Sequence, residues 1–405
     1  MTIASSIRFL GLVLAYVLFG VAAEGATVRS LADWTKLGED LAAQGRIPQS
    51  VLVLGEVIAR RPNYAPAQQA LDGTFARLGS VRRSDRFLRY AIEHDRKHMS
   101  AYAAALQRLD RTHPFRISAN FGVLPTSNLG HSSSSRYFVT NAGTFLISDG
   151  GSQKTGVGIG FGLYGDLIIH PHPGYRFRFR TGARGGWYRR GSLRSIAPMV
   201  SARFEALEAP APWGLEAFAR RRVYDGKPNE ITSDVATKGL SFDKHWILSS
   251  RKRLGIYMRG EYRSYLEKPN LSGPDYVVGM TISRPLGDRM SISYGVNLER
   301  SLPRLEYQRF KRVSAHAGIT KLITKSLVGG IEVTGDWRGF DHTFPLLGYA
   351  RRDRGLSVTL SARFLSMKVL NGIPKVECTM HQSHSNVALY SYRSVDCGIN
   401  LIAKF

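Results

Sequence analysis

The sequence predicts a mainly β protein, a 14-stranded antiparallel transmembrane β-barrel that follows a small α-helical domain. From residue 113 to the C-terminus, apolar and polar residues alternate, and a period of two is typical of strands with two different faces. The alternating runs are about ten residues long, close to what a tilted membrane-spanning strand needs. Short connections alternate with longer ones, as in bacterial outer-membrane barrels. A soluble sandwich or barrel is the alternative, but its strands are usually shorter.

The barrel is expected over residues 113–405, with strands near 115–123, 156–169, 175–188, 196–206, 214–223, 237–248, 255–265, 275–284, 290–300, 311–322, 327–337, 355–365, 374–382 and 393–405. A further short hairpin is expected in the first long connection, around Phe138 to Ile147. Because the strand number is even, both ends of the barrel sequence lie on the periplasmic side of the outer membrane.

The N-terminus predicts export. Arg8 precedes the apolar stretch FLGLVLAYVLFGVAA, and Val21 and Ala23 are small residues suited to a cleavage site. This order is typical of a signal peptide, here residues 1–23. A membrane anchor is the alternative, but the stretch is shorter than the roughly 20 residues of a spanning helix.

Residues 27–112 are expected to form a periplasmic helical domain. The segment 60–95 places apolar residues at helical spacing in two runs that Gly79 and Ser80 separate. Paired helices of this kind resemble tetratricopeptide (TPR) repeats. A small helical bundle is the other interpretation, because the chain shows no clear 34-residue period.

The chain is strongly basic, with a formal net charge of +25, and residues 113–405 carry 41 Lys and Arg against 21 Asp and Glu. Lipid-facing arginines cost roughly 2–4 kcal/mol each at mid-membrane. The arginines that alternate with apolar residues are therefore expected to face the lumen, as a basic ladder of Arg176, Arg178, Arg180, Arg184, Arg259 and Arg263. Two interpretations stay open: a hydrated lumen balanced by acidic neighbours, or an electropositive channel that contacts an acidic client.

We find no motif for catalysis, a cofactor or a metal, and the protein is expected not to be an enzyme. Gly156, Gly158, Gly160 and Gly162 fall inside a strand, where they leave space beside bulky lumen residues. The histidines of HPHPG (170–174) and HQSHS (381–385) suit a turn and a strand end better than a metal site. Cys378 and Cys397 flank the last outer loop on the apolar face, where either a cross-strand disulfide or two buried thiols is expected.

The last stretch, NGIPKVECTMHQSHSNVALYSYRSVDCGINLIAKF, resembles the C-terminus of the surface lipoprotein assembly modifiers. The residues that carry the resemblance are Ser385, Asn386, Leu389, Tyr390 and Tyr392. ISANFGVLPTSNLG (117–130) is similar to the first barrel strand and loop of that family, with Ser127 and Asn128. The terminal Phe405 resembles the signal that the outer-membrane assembly machinery recognises.

This resemblance implies an outer-membrane translocator that moves a specific protein client, a surface lipoprotein or a secreted protein, to the cell surface. The helical domain would receive the client and the barrel would provide its route. The expected partners are this client, outer-membrane lipid and the assembly machinery, with no nucleic acid and no cofactor. The alternatives are a polysaccharide-export or solute porin with a periplasmic TPR-like scaffold, and a surface adhesin that acts through its long loops.

Overall fold

The fold is a closed antiparallel β-barrel with a group of helices before it, seen in a computed structural model. The structure describes residues 30–61, 64–78, 81–94, 98–128, 133, 137–140, 143–146, 155–172, 174–189, 193–207, 212–225, 233–249, 252–287, 289–345, 347–367, 369 and 372–404. The proposed signal peptide and Phe405 lie outside these residues, and both remain predictions.

Among the described residues, five α-helices precede the barrel: α1 (Leu31–Ala43), α2 (Ile47–Arg60), α3 (Ala65–Arg77), α4 (Val81–His94) and α5 (Met99–Thr112). Ser30 and Asp33 form a capping box that begins α1, since each side chain accepts a hydrogen bond from the other residue's backbone N–H. The apolar faces of the helices meet in one core that contains Leu54, Leu71 and Leu106. Leu207, which directly follows a barrel strand, is part of the same core. The helices therefore pack onto one end of the barrel.

The sixteen strands are β1 (Phe115–Thr126), β2 (Tyr137–Thr140), β3 (Gly143–Leu146), β4 (Gly156–His172), β5 (Tyr175–Tyr188), β6 (Ser195–Ala206), β7 (Trp213–Tyr224), β8 (Val235–Ser249), β9 (Lys252–Tyr265), β10 (Gly273–Leu286), β11 (Met290–Ser301), β12 (Phe310–Thr324), β13 (Leu327–Thr343), β14 (Ala350–Phe364), β15 (Ile373–Ser385) and β16 (Tyr392–Lys404). All except β2 and β3 form the barrel, in which each strand pairs with its sequence neighbours and β16 pairs with β1. The predicted 14-stranded barrel is confirmed. β2 and β3 form a separate hairpin, as expected near Phe138.

The barrel strands are longer than predicted and the outer loops correspondingly shorter. β13 continues to Thr343 and β14 begins at Ala350, whereas the sequence predicted strands that end near 337 and begin near 355. Charged residues such as Asp341 interrupt the apolar alternation there, but backbone pairing does not need an apolar face once a strand has left the lipid. The end of an alternating pattern therefore marks the membrane boundary better than the end of the strand.

The two faces of the barrel wall have opposite chemistry. On β5, Tyr175, Phe177 and Phe179 are exposed on the outside, whereas Arg176 is fully buried on the inside. Tyr175 stacks on Phe204 of the neighbouring strand, and the ring of Phe177 packs against Phe204 at a tilt. Lipid lowers the cost of these exposed rings, and aromatic residues are typical of the membrane interface. The alternation that the sequence showed therefore corresponds to a lipid face and a lumen face.

The glycines of β4 leave space on the lumen face. A Cβ atom at Gly158 would collide with the ring of Tyr188, and one at Gly162 would collide with the side-chain oxygen of Asn120. The bulky residues of β1 and β5 therefore lie flat against β4, as the period-two glycines predicted.

Candidate functional site

The candidate site is the lumen of the barrel, where most of its charged side chains meet. Arg176 of the basic ladder lies at the end nearest the helices. Its Nη1 donates to Asp110 of α5 at 2.9 Å, and its Nε donates to Glu205 of β6 at 2.5 Å. Arg116 of β1 also pairs with Asp110, whose other oxygen lies 2.7 Å from Nε2 of His170. The buried carboxylate of Asp110 thus connects the last helix to three barrel strands.

Helix α4 extends this ion network. Arg89 lies 3.4 Å from Glu205, and Asp85 accepts a hydrogen bond from Arg116 at 2.8 Å. Burial, the largest influence, raises the pKa of Asp85, but the positive charges of Arg89 and Arg116 outweigh it and the pKa is lowered overall. Asp85 is therefore held in its charged form.

Two more ladder arginines are neutralised in the same region. Arg178 lies 3.3 Å from Glu205, and Arg180 makes two hydrogen bonds to Asp166 of β4, at 2.7 and 2.9 Å. Arg203, which the sequence analysis did not select, is similarly bonded to Asp243. Arg176, Arg178 and Arg180 form the part of the ladder nearest the helices, the lower ladder, and their ion pairs hold strands and helices together.

Arg259 and Arg263 share the carboxylate of Glu261, which is almost completely buried. Their Nε atoms lie 3.3 and 2.7 Å from it, and Arg220 of β7 approaches the same group to 3.3 Å. Arg263 also lies 3.3 Å from Asp275. The sixth ladder residue, Arg184, makes no ion pair or hydrogen bond with any residue that the structure describes. The ladder is thus six residues with two different environments, rather than one continuous surface.

The sequence pattern did not reveal several residues of the lumen, namely Asp110, Glu205, Arg220 and Arg222. The two arginines could have been found, because in AFARRRVY (217–224) they fall on the strand face opposite to Ala219 and Val223. No local signal marks Asp110, because it stands in the helix before the first strand, and the sequence does not show that this helix meets the arginines of the lumen.

The first Ser-Asn motif closes the barrel between β1 and β16. The hydroxyl of Ser127 accepts a hydrogen bond from Val395 N at 2.7 Å, and Ser127 N donates to Val395 O at 2.9 Å. Asn128, buried beside it, donates from Nδ2 to Arg393 O at 3.0 Å. These bonds continue the pairing of the two strands beyond Thr126, so the motif has a structural role at this seam.

The second Ser-Asn motif attaches the last outer loop to β14. Asn386 accepts a hydrogen bond from Arg352 N at 2.7 Å and donates one to Ala350 O at 3.0 Å. Its side-chain amide thus pairs with the backbone of β14 as a neighbouring strand would. The Ser385 hydroxyl accepts from Val387 N at 3.1 Å.

The remaining motif residues lie in or beside this loop. The Tyr390 ring stacks on the guanidinium of Arg351, whose carbon lies 3.2 Å from the ring centroid. Leu389 belongs to the same short 3₁₀ turn, and Tyr392, the first residue of β16, contacts His381. These residues position the loop at the outer end of the lumen.

Cys378 and Cys397 form a disulfide bond, which decides between the two expectations for this pair. They lie directly opposite each other on β15 and β16, on the face that also carries Met380 and Val395. The bond therefore joins the last two strands on the lipid side.

Among the described residues, no group of three or more His, Cys, Asp or Glu is arranged to hold a metal ion. No helix in the described part of the chain is both long and apolar enough to cross a membrane.

The family model for the surface lipoprotein assembly modifiers matches residues 115–405. A search of curated proteins gave no significant match. Solved structures similar in fold include the outer membrane channel DcaP of Acinetobacter baumannii, with a TM-score of 0.41 and 10% identity over 72% of this chain and 96% of that one. OmpF of Salmonella typhi, in a complex with daunomycin, has a TM-score of 0.42 and 6% identity over 72% and 97%. Since the family match spans every strand of the barrel, the chain belongs to the surface lipoprotein assembly modifier family.

Proposed function

We propose that this chain is an outer-membrane translocator that exports or displays one specific protein client, a surface lipoprotein, on the bacterial cell surface. The observation that carries the proposal is the family match over the whole barrel. A closed barrel with a polar lumen suits a passage for a polypeptide, and translocation requires no covalent chemistry. We therefore propose a role without enzymatic activity.

The helices are proposed to lie in the periplasm. They contact the barrel end that carries the β4–β5 and β6–β7 turns, through Asp110 and Leu207. The β4–β5 turn contains only residues 173–174, and Gly174 adopts a φ of 79°, which favours glycine in a tight turn. Periplasmic turns of outer-membrane barrels are short and outer loops are longer. A domain on that side would meet the client before it enters the membrane.

We also propose that outer-membrane lipid and the assembly machinery are partners of the folding barrel. The outer surface of the barrel exposes large apolar residues, such as Phe161, Leu240 and Leu298, that suit contact with lipid. The last strand carries Val395 and Ile399 on that face and leads to the terminal Phe405.

The test is deletion of the gene, followed by protease treatment of intact cells and comparison of the protease-sensitive surface proteins. We expect one lipoprotein to be lost from the surface while its total amount in the cell stays unchanged, and re-expression of the chain should restore it. An unchanged surface proteome would contradict the translocator role. Loss of an extracellular polysaccharide instead would support the polysaccharide-export alternative, which the basic lumen also suits.

A further inference from the structure

The basic ladder divides into neutralised arginines and arginines that remain available. Arg176, Arg178 and Arg180 each lie within 3.3 Å of a carboxylate. Arg184, nearer the outer end of the same strand, has no such partner among the described residues and is exposed to the lumen. Among the residues that the structure describes, Arg222 of β7 has a single partner, the Tyr224 hydroxyl at 3.5 Å, at the limit of a hydrogen bond. Two guanidinium groups are thus left with most of their donors unused.

Neighbouring charges make this part of the lumen positive. Arg220, Arg259 and Arg263 share the single carboxylate of Glu261, and only Arg263 also approaches Asp275. Together with Arg184 and Arg222, five guanidinium groups in the described lumen face three carboxylates, those of Glu261, Asp275 and Asp396. An anion that enters here would relieve the repulsion among these guanidinium groups.

A cavity of about 530 Å³ opens beside the two available arginines. Its walls include Arg184, Arg222, Tyr188, Tyr224, Thr126 and Asp396. On the facing wall, the carboxylate of Asp396 accepts a hydrogen bond from the hydroxyl of Thr126 and another from that of Ser394 at 2.9 Å, which fix its position but do not cancel its charge. The volume lies in the range of about 300–1,000 Å³ that is typical of ligand sites.

The spacing of the arginines suits an extended polypeptide. Arg184 and Arg222 stand on β5 and β7, and β6 carries the small, buried Ala197 between them. Two strand spacings separate the two backbones by about 10 Å. Residues two apart in an extended chain point to the same side and are separated by about 7 Å, a difference that the long arginine side chains can span. Because guanidinium groups bind carboxylates through paired hydrogen bonds, two acidic residues at this spacing could engage both arginines.

We propose that Arg184 and Arg222 form a binding site in the lumen for an acidic, extended segment of the client polypeptide. This inference rests on the proposed function, because the family match is what makes a polypeptide the expected occupant. The lower ladder holds the fold together, whereas Arg184 and Arg222 contact the client on its way to the outer end.

The experiment uses the full mature chain, purified in detergent micelles, and fluorescein-labelled decaglutamate as the probe. Fluorescence anisotropy at low ionic strength measures the affinity. We expect Arg184→Gln and Arg222→Gln each to weaken binding about tenfold, since each removes a charge-assisted contact. Arg184→Lys keeps the charge and should retain most of the affinity. A difference in migration between unheated and boiled samples on SDS gels verifies that each barrel has folded.

Arg221→Gln is the matched control, because Arg221 is adjacent in sequence but is exposed and lies 3.7 Å from Asp234 of an outer loop. It should bind the probe as the natural chain does. Equal loss in this control, unchanged binding by both lumen variants, or equally tight binding of labelled decaglutamine would overturn the site. Binding of an anionic polysaccharide but not of decaglutamate would overturn it too. None of these results depends on the deletion test, so a surface lipoprotein that still requires the gene would leave the translocator role intact.

Discussion

The carboxylate of Asp110, near the end of the last helix, lies 2.9 Å from the guanidinium of Arg176 in the barrel lumen, and neither side chain is exposed. Arg116 and His170 contact the same carboxylate from two other strands. A buried charge that loses its partner is strongly destabilising, whereas an exposed ion pair contributes little. Asp110 therefore joins the last helix to three barrel strands at once, beside the contacts that α4 makes through Asp85 and Arg89.

We predict that Asp110→Asn releases the helical domain from the barrel while the barrel remains folded. The loss of the negative charge leaves Arg176 and Arg116 with fewer partners, at a cost of about 3–5 kcal/mol. Hydrogen–deuterium exchange should then increase in α5 and in the residues next to His170. Asp72→Asn is the control, because Asp72 pairs with Arg108 on the partly exposed surface of the helices. Equal protection of α5 in the natural chain and in Asp110→Asn would contradict this prediction.

The contact between α4 and the barrel should weaken in acid. The pKa of Asp85 is lowered in the folded state, chiefly because Arg89 and Arg116 outweigh the effect of burial. A carboxyl with a lowered pKa contributes stability that is fully present above its unfolded value of about 3.9 and is lost as pH falls through the folded value. Thermal unfolding of the helices can be followed by circular dichroism at 222 nm. At neutral pH, the natural chain should therefore unfold at a higher midpoint temperature than Asp85→Asn. This difference in midpoint temperature should shrink below about pH 4. A constant difference from pH 7 to pH 3 would contradict the stabilising role of the Asp85 charge.

The barrel could be predicted from sequence because its signal is local and repeated. The alternation of Tyr175, Phe177 and Phe179 with arginines is visible in a single strand, and the register of each hairpin follows from the turns. The helices were likewise visible as apolar residues at helical spacing. The extra length of β13 was not visible, because its last residues, RGFDHT (338–343), do not alternate regularly between apolar and polar.

The partition of the arginines could not be predicted in the same way. It depends on which carboxylates meet which arginines across the lumen, and these come from distant parts of the chain. Asp110 and Arg176 are 66 residues apart, and Arg220 and Glu261 are 41 apart. Alternation gives the face on which a side chain lies, but not its partner.

We predict that Asn386→Asp loosens the last outer loop. The amide donates to Ala350 O and accepts from Arg352 N, whereas an aspartate keeps the acceptor, loses the donor and places a negative charge beside a carbonyl oxygen. The expected cost is about 1–3 kcal/mol, with faster amide exchange over residues 386–391. Glu306→Gln, on another outer loop, changes an exposed side chain and should leave exchange in this segment unchanged. Unaltered exchange in Asn386→Asp would show that the motif does not hold the loop.

The disulfide between Cys378 and Cys397 should stabilise the strand pair next to the barrel seam. It closes a loop with a sequence separation of 19 residues, and a loop of this length corresponds to about 3 kcal/mol in the chain-entropy model. Alanine is the suitable replacement, because both positions face lipid and a serine hydroxyl would lack a partner there. We expect the Cys378→Ala, Cys397→Ala double variant to lose its heat-modifiable band on SDS gels at a lower temperature than the natural chain. Reductant should lower the transition of the natural chain to that of the variant and leave the variant unchanged. Identical transition temperatures in the non-reduced natural chain and the variant would contradict this prediction. They would mean that the hydrogen bonds between β15 and β16 hold the last hairpin without the disulfide.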